Sequence, residues 1–184
     1  MNRAAYIVAG LAAALTLMFG AGVASAQTGG SAPGGTTTPT PTPSGYSQVF
    51  PIDSSVPHKY GGGFGASRGK RSHRGQDVFA ACGSMLVAVA PARVIYRGRQ
   101  SAAGNYVVIR SKALRQDFMY AHLQSPAPVR KGQILSTGQF LGAVGDTGNA
   151  RGCHLHFEIW TGKWYRGGRA IDPLTTLRWW DSYS

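Results

Sequence analysis

The sequence predicts an all-β domain, and three observations predict it. Six short runs, at 76–81, 85–90, 93–97, 105–112, 117–123 and 154–160, are apolar or alternate apolar with polar residues. Glycine punctuates them closely, at Gly83, Gly98, Gly104, Gly132, Gly138, Gly142, Gly145, Gly148 and Gly152, as many short strands at close spacing require. No stretch sustains the 3.6-residue apolar period of an amphipathic helix. Pro91, Pro126 and Pro128 fall between runs, where a strand can end without losing a ladder hydrogen bond.

The chain has 184 residues, enough for one modest domain with extensions. Positions 1–26 lie outside that domain. Arg3 is their only charge, 4–23 is mostly apolar, and Ala24-Ser25-Ala26 closes the stretch with a small-x-small pattern. This reads as a secretory signal peptide cut after Ala26; the alternative is an uncleaved anchor helix. Positions 27–45 hold Gly, Ser, Thr and Pro without charge, with TTTPTPTP at 36–43. Such a segment cannot bury apolar area and reads as an extended linker. The folded domain is expected over 46–184.

Charge limits the partners. The chain carries 19 Lys and Arg against 7 Asp and Glu, a formal net charge of +12. That balance implies an anionic partner. No nucleic-acid fold signature is present, so anionic polymers of the cell envelope are the expected partners of a secreted or wall-associated monomer, free of the membrane once the signal is removed. Two cysteines in an exported chain predict one disulfide, Cys82 to Cys153; the alternative is two buried free thiols.

Four of the five histidines fall in three contexts: His73-Arg74-Gly75-Gln76-Asp77, Tyr120-Ala121-His122-Leu123, and Cys153-His154-Leu155-His156-Phe157-Glu158. Side chains alternate faces along a strand. His154 and His156 therefore point one way, and Leu155 and Phe157 the other. Adjacent imidazoles are poor core material unless they bind something, and a metal is the simplest partner. Zinc takes imidazole nitrogen and carboxylate oxygen at about 2.0–2.2 Å and keeps one position open in catalytic sites. His73, Asp77 and His156 together would supply three protein ligands. By the same alternation, Tyr120 is expected on the face of His122, lining a cleft.

The run from Phe64 to Glu158 resembles the lysostaphin/LytM-type zinc metallopeptidases of bacterial cell walls. The matching residues begin with Phe64-Gly65-Ala66-Ser67-Arg68 and the His73 to Asp77 motif. Gly104-Asn105-Tyr106-Val107-Val108-Ile109 and Tyr120-Ala121-His122-Leu123 follow. Gly142-Ala143-Val144-Gly145-Asp146-Thr147-Gly148, His154-Leu155-His156-Phe157-Glu158-Ile159 and Ile171-Asp172-Pro173-Leu174 complete the series. Gly83-Ser84-Met85-Leu86 departs from the family's Gly-Thr-Pro-Val. The resemblance implies twisted antiparallel sheets forming an open groove, Zn2+ held by His73, Asp77 and His156, and catalytic roles for His122 and His154. It leaves open which of those two histidines accepts a proton and which stabilises the oxyanion. Glu158, on the strand face of His156, reads either as an orienting partner for that ligand or as a solvated edge carboxylate.

The resemblance further implies a secreted endopeptidase that hydrolyses peptide bonds of peptidoglycan stem peptides or cross-bridges. Two alternatives stand beside it: a non-catalytic wall-binding or amidase-activating module of the same fold, and an exported protease acting on other proteins.

Overall fold

The computed structural model describes residues 47–69 and 71–184. The expected signal peptide at 1–26, the linker at 27–45 and the first residue of the expected domain lie outside them. Among the described residues no helix is long and apolar enough to cross a membrane.

The described residues form ten strands and one helix, in order: β1 His58–Tyr60, β2 Gln76–Ala80, β3 Met85–Val87, β4 Ala92–Gln100, β5 Gly104–Ser111, β6 Gln116–Leu123, β7 Ile134–Leu135, β8 Phe140–Ala143, β9 His154–Thr161, β10 Arg169–Ile171 and α1 Leu174–Asp181. Seven strands form one path, β1-β2-β9-β6-β5-β4-β7, with β10 also paired to β9; β3 and β8 form a separate two-stranded sheet. All pairings are antiparallel. The class is the all-β one that the sequence predicts, built as twisted antiparallel sheets.

Alternation assigns the two faces of the large sheet. Val78, Val107, Ile109, Phe118, Tyr120, Leu155, Phe157 and Ile159 are fully buried on one face, in the main core. Leu177 and Trp180 of α1 close that core. At about 25 cal/mol per Å² of apolar area, burying side chains of this size contributes about 1.5–3 kcal/mol each. The opposite face carries a smaller apolar cluster of Ala103, Tyr106, Val108, Met119 and Ala121. It also carries the four polar residues of interest, Asp77, His154, His156 and Glu158.

The run 85–90 is a strand only to Val87. Ala88, Val89 and Ala90 are apolar because they are buried, not because they continue the ladder. Helix α1 was not legible in the sequence. Eight residues make barely two turns, too few for a 3.6-residue period to stand out.

Candidate metal and catalytic centre

Three strands bring the site together. In the register of β2, β9 and β6, His156 lies opposite Asp77 on one side and Ala121 on the other. His73 precedes β2 in a loop whose backbone bonds to 62–66 hold it in place: its N–H donates to Ala66 O at 2.8 Å, and its carbonyl accepts from Gly65 N–H at 2.8 Å.

The result is a triangle of ligand atoms. His73 Nε2 and His156 Nδ1 are 2.8 Å apart, and each lies 3.1 Å from Asp77 Oδ1. The outer ring nitrogens have acceptors of their own: His73 Nδ1 donates to Gly63 O at 2.9 Å, and His156 Nε2 to Glu158 Oε1 at 3.0 Å. In the neutral tautomers both inward nitrogens therefore carry lone pairs, and both face a carboxylate oxygen. Three converging acceptors call for a cation between them. Ligands tetrahedrally disposed about zinc stand ~3.3 Å apart, given metal–ligand bonds of about 2.0–2.1 Å. The edges observed are close to that, so the donor set fits zinc in both chemistry and size.

A second ring of contacts orients the three. Glu158 is buried, and its other oxygen accepts from Trp160 Nε1 at 2.6 Å. It is therefore the orienting partner of His156 and not an edge carboxylate. Arg68 Nη2 donates to the free oxygen of Asp77 at 2.8 Å. Burial would raise the Asp77 carboxyl, but its bonds to His156 and His73 outweigh burial and hold it well below the usual range. Burial would likewise depress His156, yet the carboxylates of Asp77 and Glu158 raise it to about 9. Both shifts have one main cause, the close contact of imidazole and carboxylate.

His122 and His154 stand beside the triangle. Their rings are 4.6 Å apart between centroids, His122 is 5.9 Å from the His156 ring, and His154 Nε2 lies 3.8 Å from Asp77 Oδ1. Each is oriented by a backbone carbonyl: His122 Nδ1 donates to Thr147 O at 2.7 Å and His154 Nδ1 to Gly152 O at 2.9 Å. Each thus keeps Nε2 as the nitrogen able to accept a proton. Burial pushes His122 down to about 4, against the pull of the Thr147 carbonyl, so it is neutral at physiological pH.

Alternation did not predict how His122 reaches this face. Tyr120 lies opposite Phe157 and is fully buried in the main core, where its hydroxyl accepts from Val89 N–H at 3.1 Å. It does not line a cleft, contrary to the expectation that it shares the face of His122. The reason is backbone: His122 has φ of 62°, a left-handed conformation uncommon for a side-chain-bearing residue. That reversal turns His122 away from the core side. It is the kind of local strain that persists only when surrounding contacts impose it. Here His122 N–H donates to Ala103 O at 2.9 Å, and the Thr147 carbonyl takes the ring.

The segments around Gly104 and Gly148 meet to present that carbonyl. Asn105 N–H donates to Thr147 Oγ1 at 2.9 Å, and Thr147 Oγ1 donates to Leu123 O at 2.7 Å. A β-carbon on Gly104 would fall 2.3 Å from the Thr147 backbone, so only glycine permits the approach. The sequence singles out both segments but not what joins them.

Cys82 and Cys153 form a disulfide, with Cα atoms 5.2 Å apart. It ties the turn after β2 to the residue before His154, next to the Phe79–His154 register pair.

A family model described as peptidase family M23 matches residues 71–173 of this chain. Among curated proteins, peptidoglycan DD-endopeptidase ShyB of Vibrio cholerae is 34% identical over 87 residues, 47% of this chain and 20% of that protein. The murein hydrolase activator NlpD of Salmonella typhimurium is 34% identical over 117 residues, 62% of this chain and 28% of that protein. The chain thus spans between 20% and 28% of the length of these relatives. Among solved structures, the catalytic domain of the antimicrobial peptidase lysostaphin from Staphylococcus simulans superimposes with a TM-score of 0.60 at 26% identity, covering 66% of this chain and 92% of that one.

Proposed function

The chain belongs to peptidase family M23, and we propose that it is an exported, zinc-dependent endopeptidase that hydrolyses peptide bonds in peptidoglycan stem peptides or cross-bridges. The observation that carries this reading is the convergence of His73 Nε2, Asp77 Oδ1 and His156 Nδ1 within 3.1 Å of one another, with His122 and His154 beside them. Zinc held there would supply Lewis acidity, enough to polarise a peptide carbonyl and to lower the pKa of a water to about 7.

The chain's own residues do the rest. His73, Asp77 and His156 hold the ion. Glu158 and the Gly63 carbonyl fix the two imidazoles in the tautomers that ligate. His122 and His154, each with Nδ1 committed to a carbonyl, offer Nε2 for proton transfer, one to accept a proton and the other to support the oxyanion or the leaving amine. The main core beneath β2, β9 and β6 keeps these groups in place.

Export is supported by the signal-like stretch at 1–26 and by the Cys82–Cys153 disulfide, which suits an oxidising compartment. The linker at 27–45 then precedes a domain beginning near residue 46. The excess of basic residues favours residence on an anionic wall as a monomer, with no role for nucleic acid.

A second reading, a non-catalytic activator of other wall hydrolases, draws on the identity to the activator NlpD. The two part on zinc. Purified protein with about one zinc per chain that releases new amino termini from cross-linked muropeptides supports the peptidase, provided both are lost in His156→Ala. Folded protein that takes up no added zinc supports the activator.

A further inference from the structure

The segment 162–168, between β9 and β10, rests on the site-bearing face of the sheet, where Trp164 packs against the cluster of Tyr106, Val108 and Met119. Asp117 anchors it. This fully buried carboxylate accepts Arg110 Nε at 2.6 Å and Nη2 at 2.5 Å, and also the backbone N–H of Trp164 at 2.8 Å. Tyr165 follows with φ of 48°. That left-handed turn is accompanied by close ring contacts, 4.9 Å to Trp160 and 4.6 Å to Trp164 between centroids.

Arg74, directly after His73, lies over these rings. Its guanidinium carbon is 4.9 Å from the Tyr165 centroid and 5.9 Å from that of Trp160, and Nη1 donates to the Tyr165 hydroxyl. Trp160 bonds Glu158, and Glu158 bonds His156. A positive charge is thus held on the strand face that carries the metal cluster, one link of Trp and Glu away from a metal ligand.

Two guanidiniums on this face are neutralised: Arg68 pairs with Asp77 at 2.8 Å and Arg110 with Asp117 at 2.5 Å. Arg74 is exposed, and among the described residues it has no carboxylate within ion-pair reach. With Nη1 given to the Tyr165 hydroxyl, Nε and Nη2 remain as the edge whose fork matches a carboxylate. A side chain already held by two rings also loses less freedom on binding.

From this geometry we propose that Arg74 is a specificity-determining residue that binds a free carboxylate of the substrate peptide beside the bond to be cut. The inference rests on the peptidase reading above and narrows its substrate class. The preferred substrate is a cross-link in which a residue flanking the scissile amide bears a carboxylate, rather than an uncharged glycine bridge.

The test uses two dimeric muropeptides joined by a D-alanyl–meso-diaminopimelyl bond. One has its carboxylate next to the scissile amide free, and the other has only that carboxylate amidated. With the zinc-loaded protein, amidation should lower kcat/KM by about 10- to 100-fold, the range of a hydrogen-bonded charge. Arg74→Gln should cleave both dimers at the lower rate. Binding to the zinc-free protein, followed by tryptophan fluorescence, should show the same discrimination in the wild type and none in Arg74→Gln. Equal handling of the two dimers by the wild type, or a preference that survives Arg74→Gln, overturns the proposal. Should the wild type cleave neither dimer but cut a glycine-bridged muropeptide, the proposal is overturned; should it cut none of the three, the peptidase reading fails, and the fluorescence titration alone decides whether Arg74 reads the carboxylate.

Discussion

His156 donates from Nε2 to Glu158 Oε1 at 3.0 Å, while its Nδ1 faces His73 and Asp77. One imidazole is thus shared between the metal cluster and a buried carboxylate two residues along the same strand. Glu158→Gln keeps the volume but removes the charge that favours a ligating Nδ1. Zinc affinity, measured by chelator competition, should fall about 10- to 100-fold with the fold retained. Unchanged affinity would mean that Glu158 serves only to satisfy Trp160.

Gly75 predicts a sharper loss. A β-carbon there would stand 2.4 Å from Phe157 O and 2.9 Å from His156 Cε1. The first contact is backbone and cannot swing aside. Gly75→Ala should therefore part β2 from β9 at the site, destabilise by about 1–3 kcal/mol as an overpacked position, and release zinc. A thermal melt read beside metal content checks both effects at once, and full zinc occupancy in the variant would refute the close approach.

His122→Ala and His154→Ala separate binding from chemistry. Neither residue belongs to the ligand triangle, so each variant should keep about one zinc per chain. Peptide hydrolysis should drop by about 10²–10⁴-fold, the usual contribution of a positioned acid or base. Loss of zinc in either variant would place that histidine among the ligands instead.

The Cys82–Cys153 bridge closes a separation of 71 residues. In the loop-entropy account, removing it costs about 4 kcal/mol. We expect the double variant Cys82→Ser, Cys153→Ser to lose roughly that much in denaturant unfolding. Because Cys153 precedes His154 and Cys82 follows β2, zinc affinity should weaken as well; equal affinity in the double variant would limit the bridge to stability.

Tyr120→Phe tests the core placement of that ring. The Val89 N–H that donates to its hydroxyl would be left without an acceptor, a loss of about 1–3 kcal/mol for a buried donor. Catalytic rate per folded molecule should not change. A large fall in kcat with unchanged stability would return Tyr120 to the cleft.

Much of this site is legible in the residues themselves. Alternation along 154–160 suffices to put His154, His156 and Glu158 on one face, because a strand's period is a local property of the backbone. The short spacing of His73 and Asp77, and the pairing of the chain's two cysteines, need no further structure. Alternation failed at one place, 120–122. There the positive φ of His122 reverses the side chain's direction, and that conformation is held by Ala103 and Thr147, which lie far off in the chain.

What the sequence alone determined is the all-β class, the residues able to hold a metal and the face on which the H-x-H pair lies. The tertiary structure decided the rest. It set the opposition of Asp77 and His156 across β2 and β9, the nitrogen each histidine turns inward, the buried state of Glu158 and the aromatic bed under Arg74. Each of these depends on which strands become neighbours and in what register. Register is settled by the packing of the whole sheet against its core, a sum over distant contacts that no short stretch of sequence contains.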